Sequence, residues 1–149
     1  PLYSSAASDV YKRQKVHYIK FEKDQLLLES LTDYAKKNNI KTAEISFIGA
    51  VQNVNVMYMN QENKKYDKHT FDGGHEVLNG LGNISILDDE PFVHVHMTVA
   101  DKNGKAFGGH LDEGTKIWLI EAVIKEPTFF GKGIERHFND EICLSVWND

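Results

Sequence analysis

At 149 residues, with 41% hydrophobic and 26% charged side chains, the chain is long enough for one domain with its own core. The net charge of −5 excludes the broad basic face by which proteins usually hold nucleic acid. The single cysteine, Cys143, excludes an intramolecular disulfide framework and a cysteine-rich zinc ribbon, and it points to the reducing cytoplasm. No apolar run approaches the roughly 20 residues of a membrane span, so no membrane partner is expected.

Residues 1–14 lack the apolar core of a secretory signal. The run from Ser4 to Gln14 reads as translated adapter sequence or as a disordered tail. Residues 1–14 are therefore set apart as a non-native or disordered leader, and residues 15–147 are expected to form a single domain.

Val16 to Phe21 predicts a first strand, and Asp24 offers a helix N-cap. Leu27, Leu28, Leu31, Tyr34 and Ala35 recur at helical spacing, with Lys36 and Lys37 in the last turn, where the helix dipole favours cations. Strands are expected over 43–51 and 54–59, then a polar hairpin tip over 61–65 and a return over 66–71. Gly73-Gly74 is expected to break that return. Short strands follow over 76–81 and 84–87, separated at Gly82-Asn83. The apolar run Ile117 to Ile124, interrupted only by Glu121, predicts a central strand. Residues 126–136 are irregular, Ile142, Leu144 and Val146 alternate as a last strand, and Cys143 is expected as a small core residue. One helix among hairpin-linked strands implies an α+β domain with the helix packed on a largely antiparallel or mixed sheet.

The chemistry concentrates in Pro91-Phe92-Val93-His94-Val95-His96-Met97-Thr98-Val99 and Gly108-Gly109-His110-Leu111. Alternation along a strand puts His94 and His96 on one face, one pleat apart. The loop Asp101-Lys102-Asn103-Gly104-Lys105 carries a strong hairpin signal, and it would bring His110 back to the same end of the sheet. Three converging imidazoles without a carboxylate cage suit zinc, or another divalent transition metal, with a position left open. Partly buried, hydrogen-bonded strand histidines are the other reading of the same residues. Lys64, Lys65, Lys68 and His69 form a small basic cluster that reads as a solvated hairpin tip.

The ordered series Glu76-Val77-Leu78-Asn79-Gly80-Leu81-Gly82-Asn83-Ile84-Ser85, then Pro91 to His96, Asp101, Gly104, Gly108 to Leu111 and Gly114, resembles the PPC domain. This is the plant and prokaryote conserved domain, also written PCC, once catalogued as a domain of unknown function. Arg136, Asp140 and Leu144 extend the likeness to the closing stretch. The resemblance implies a stand-alone prokaryotic member, a sheet with a helix packed on it, and a homotrimer. It also implies a metal site at His-x-His and Gly-Gly-His, and it favours the ligand reading of His94, His96 and His110. Plant members of the family lose these histidines and carry AT-hook segments ahead of the domain, and the family's DNA-binding label is associated with those hooks. No Arg-Gly-Arg-Pro hook occurs here, so direct nucleic-acid binding is not expected.

Two functions follow as expectations. The first is a trimeric, metal-holding protein with a ligand-binding or regulatory role, whose trimer buries apolar strand faces such as 117–124. The alternative is a small metal-dependent hydrolase or lyase using metal-activated water, with Glu76 or Glu121 as proton shuttle. Glu76 resembles a glutamate that family members place before the Leu-x-Gly turn, and it reads equally as a structural carboxylate. Glu121 is expected to face either a trimer interface or the histidine cluster.

Overall fold

The computed structural model describes residues 14–127 and 131–148. Eight strands and one long helix follow in the order β1 (Gln14–Phe21), α1 (Leu27–Lys37), β2 (Ala43–Asn60), β3 (Lys65–Leu87), β4 (Glu90–Ala100), β5 (Ala106–Leu111), β6 (Ile117–Pro127), β7 (Arg136–Asn139) and β8 (Leu144–Trp147). The main sheet is antiparallel throughout, in the order β1-β6-β2-β3-β4-β5. The domain is thus mostly β, and the expected α+β layering holds only in that a single helix packs on the sheet.

The sheet also closes on itself. One edge of β2 pairs with β6 over Glu44–Val51 and then with β5 at Val56 and Met57, while β3 occupies its other edge. Strands β2, β3, β4 and β5 therefore form a small closed barrel, extended by β6 and β1. Closure leaves β5, which carries His110, without the free edge it would have in an open sheet. The run 117–124 is central as expected, with β1 and β2 on either side.

Buried and outward residues alternate along β4: Val93, Val95, Met97 and Val99 fill the core, and His94, His96 and Thr98 point away from it. Helix α1 covers one opening of this core with Leu27, Leu31 and Ala35, spaced four apart and fully buried. Burying each leucine contributes roughly 1.5–3 kcal/mol relative to exposure. Glu29 in the first turn accepts a hydrogen bond from the Gly114 backbone N–H at 2.9 Å, tying the helix to the β5–β6 connection.

Several boundaries differ from expectation. Asp24 does not cap the helix: Leu26 is the N-cap and provides no side-chain cap. Asp24 instead takes a positive φ of 73° and pairs with Lys116 at 3.1 Å. The expected strands over 43–51 and 54–59 are one strand, β2. The segments 66–71, 76–81 and 84–87 are likewise one strand, β3, and Gly73-Gly74 does not break it. Register shifts at Phe47/Gly49, Val51/Asn53 and Val77/Asn79 absorb the irregularity, as β-bulges do. Cys143 is not a core residue; it lies half-buried with φ 55° in the β7–β8 turn. Residues 1–13 of the expected leader lie outside the described residues, and Gln14 is the first residue of β1. Among the described residues no helix is long and apolar enough to cross a membrane.

Candidate metal centre

His94 and His96 stand on the outer face of β4, and His110 stands on β5 directly opposite His96 in the antiparallel register. Directly paired residues bring their side chains side by side, and the i, j±2 diagonal brings His94 into the same group. The ring centroids form a near-equilateral triangle: 5.2 Å for His94–His96, 4.9 Å for His94–His110 and 5.3 Å for His96–His110. One nitrogen from each ring lies within 4.8 Å of the others. Donor atoms around a tetrahedral zinc ion stand about 3.4 Å apart, so small ring rotations suffice to close on a dication. His94 and His110 are half-buried and His96 is exposed, which leaves one side of the triangle accessible.

Two glycines make this packing possible. A Cβ on Gly82 would meet the His94 carbonyl oxygen at 2.1 Å, and one on Gly108 would meet the Met97 carbonyl oxygen at 2.0 Å. No larger residue fits either position without moving the strand that carries the histidines. The hairpin between them forms as expected: the Asp101 carboxylate accepts hydrogen bonds from the Asn103 and Lys105 backbone N–H groups.

The electrostatics favour the neutral form of two of these imidazoles, His94 and His110. Burial lowers the His94 pKa to about 4, with repulsion from His110, Arg136 and His96 adding to it. Burial likewise lowers the pKa of His110, aided by His96 and Arg136 and opposed by Asp112. Neutral imidazoles keep the lone pairs that a metal requires, so the donor set fits a transition dication.

Around the triangle lie residues that sequence reasoning did not assign to the site. Tyr66 stacks near His110, with centroids 5.4 Å apart, and Phe92 lies beside His94 at 6.5 Å. Arg136, the first residue of β7, donates from Nε to Ser85 Oγ at 2.6 Å and from Nη1 to the Ser145 carbonyl at 2.7 Å. Its Nη2 donates to Asn83 Oδ1 at 3.0 Å and to His94 Nδ1 at 3.3 Å. Arg136 was visible in the sequence as a motif residue, but nothing in its irregular surroundings tied it to a histidine 42 positions earlier.

The other candidates lie elsewhere. Glu76, opposite Ala50 and Ala100, lines a separate open cavity of about 550 Å³ with His75, Asp101 and Trp118. His75 stays out of the triangle and packs edge-on against Phe107. Glu121 is exposed on β6, opposite Lys20 and Ile48. The charged neighbours that act on His94 and His110 are Arg136 and Asp112, with neither glutamate among them. Asp112 in turn pairs with Lys68 at 2.8 Å, a lysine that stays solvent-exposed as the solvated reading of the basic cluster expects.

Comparison with known proteins agrees with this architecture. The profile of the Plants and Prokaryotes Conserved (PCC) domain matches residues 8–128. No curated protein matches the chain. Among solved structures, a plant- and prokaryote-conserved (PPC) protein from Pyrococcus horikoshii is 31% identical, with a TM-score of 0.84 over 91% of this chain and 92% of its own. A protein from Archaeoglobus fulgidus described as metal-containing is 28% identical, with a TM-score of 0.84 over 91% and 94% of the two chains. One from Bacteroides thetaiotaomicron, provisionally described as DNA-binding, is 25% identical, with a TM-score of 0.83 over 89% and 91%. With the domain profile spanning most of its length and the barrel shared, the chain belongs to the Plants and Prokaryotes Conserved domain family.

Proposed function

We propose that this chain is a metal-holding protein of the cytoplasm in which His94, His96 and His110 bind one divalent transition metal, zinc foremost, for a ligand-binding or regulatory role. The observation that carries this reading is the convergence of three imidazole nitrogens within 4.8 Å on an accessible outer face. The Archaeoglobus relative, described as metal-containing, supports it. When bound, such an ion supplies a Lewis-acidic centre with a position open to a further ligand. The chain's own residues hold that ion at the barrel wall, and Tyr66 and Phe92 shield two sides of the imidazole group.

Placement of the carboxylates favours ligand holding over proton transfer. Glu76 and Glu121 stand apart from the histidines, and Asp112 is engaged by Lys68. The net charge of −5 gives no support to direct DNA binding, whatever description a relative carries. Assembly as a homotrimer is part of the proposal. Tyr18, Ile48 and Leu119 are exposed apolar residues on the outer face of β1, β2 and β6, set around the Lys20–Glu121 pair, and association would cover them.

Elemental analysis of tag-free protein, purified without added metal, tests the centre. About one zinc per chain is expected in the wild type and none in a folded His96→Ala variant. Folded wild-type protein that holds no metal, even after exposure to zinc, would contradict the reading.

A further inference from the structure

Arg136 makes four hydrogen-bond contacts among the described residues, and every acceptor is uncharged: Ser85, Ser145, Asn83 and His94. Its guanidinium lies over Phe92 and near Trp147, 5.1 and 5.8 Å from the ring centroids. It is half-buried, and Tyr66 is the group that acts electrostatically in its favour. A cation held this way, beside three imidazoles and with no carboxylate among its own acceptors, is short of negative charge. A dication on those imidazoles makes the shortage worse, so the centre calls for an anion from outside.

The contact with His94 says where that anion goes. A neutral imidazole has one in-plane lone pair. In the metal-free protein that pair sits on Nδ1, where Arg136 Nη2 donates to it at 3.3 Å. A metal on His94 takes the lone pair, whichever ring nitrogen it binds. If it binds Nδ1, the acceptor is consumed. If it binds Nε2, the proton moves to Nδ1 and faces another N–H. Either way one N–H on Nη2 loses its acceptor at the rim of the centre. A second N–H, on Nη1, has no acceptor among the described residues, because Arg has five N–H groups and four are used there.

Building on the metal reading above, we propose that Arg136 is the second anchor of a small carboxylate ligand, whose oxygen takes the open metal position while metal loading frees the guanidinium to bind it. A planar carboxylate matches the fork of an arginine in a way that a neutral amide does not. The β7–β8 hairpin, which presents Arg136 at its first residue, is the element that delivers this specificity.

The test uses cobalt(II)-loaded full-length protein, whose visible spectrum reports changes at the metal. Acetate and its neutral analogue acetamide are titrated against wild type, Arg136→Gln and Arg136→Lys. In wild type, acetate shifts the spectrum at concentrations at least tenfold below those needed for acetamide. Arg136→Gln removes that preference, weakening acetate at least tenfold while binding cobalt at least as tightly as wild type, because a competing cation and donor have gone. Arg136→Lys keeps the charge but not the fork, and it weakens acetate by a smaller factor; it serves as the test if the glutamine variant does not fold. An unchanged acetate-to-acetamide preference in a folded variant, or equal wild-type affinity for both, overturns the proposal with the metal reading intact. Failure of wild type to bind cobalt overturns both.

Discussion

His96 and His110 are direct cross-strand partners, and their ring centroids lie 5.3 Å apart on the outside of the barrel wall. Because the side chains turn away from the core, the centre is carried by the fold without being needed to complete it. His110→Ala is therefore expected to lose metal affinity by at least about tenfold while unfolding near the wild-type denaturant midpoint in the metal-free state. Zinc titration and urea denaturation of the same preparations check the two halves of this expectation.

The depressed histidine pKa values give the metal-free protein a signed pH dependence. His94 titrates near 6.5 when unfolded and at about 4 when folded, and His110 is lowered as well. Between those values the unfolded chain binds more protons than the folded one, so stability rises with pH. The His94 contribution is fully present above about pH 6.5 and is lost as the pH falls toward about 4, and His110 acts in the same direction. Urea midpoints between pH 7.5 and 4.5 should decline in the metal-free wild type, and more shallowly in His94→Gln. Equal slopes would contradict the assignment to His94.

The close approach at Gly108 is a packing requirement of the site. Its Cβ would lie 2.0 Å from the Met97 carbonyl oxygen, so Gly108→Ala must push β5 away from β4. A loss of about 1–3 kcal/mol in stability is expected, accompanied by weaker zinc binding as His110 is displaced. Wild-type stability in this variant would show that the two strands are not held so closely.

The histidine pattern was readable in the sequence because strand periodicity is local. His94 and His96 share a face by spacing alone, and the Asp101–Lys105 loop fixes where His110 returns. Barrel closure was not readable, since it rests on two pairings, Val56 with Leu111 and Met57 with His110, between segments more than 50 residues apart. The glycines misled for a related reason. Gly82 serves close strand approach and Gly73-Gly74 lies beside a register shift, so what looked like breaks in the chain are places where a long strand bends. Asp24 failed as a cap because the chain entering α1 is held through backbone pairing of Leu26 with Lys116, a tertiary contact that no local signal announces. Arg136 stayed unassigned because its partners Asn83, Ser85 and His94 come from two other strands.

The exposed apolar residues of that outer face give the assembly a direct test. Leu119 and Ile48 are 39% and 55% exposed on adjacent strands, a large apolar exposure for a surface with no partner. Leu119→Glu is expected to convert a trimer to monomers in sedimentation velocity, with the fold retained. A wild type that sediments as a monomer would remove the trimer from the account.

The helix anchors the far side of the same core. Leu31 is fully buried, and Leu31→Ala should cost about 2–5 kcal/mol, measured by urea denaturation. Metal stoichiometry should be unchanged where the variant is folded, since α1 supplies no ligand.

The central claim is that three imidazoles hold the ion, and zinc-edge X-ray absorption on the loaded protein tests it most directly. The account predicts a first shell of three imidazole nitrogens at roughly 2.0–2.1 Å, with the characteristic outer-ring scattering, and no protein-bound zinc signal in His96→Ala. A shell containing sulfur at about 2.3 Å, which only Cys143 or a methionine could supply, or one made of oxygens without imidazole scattering, would contradict it.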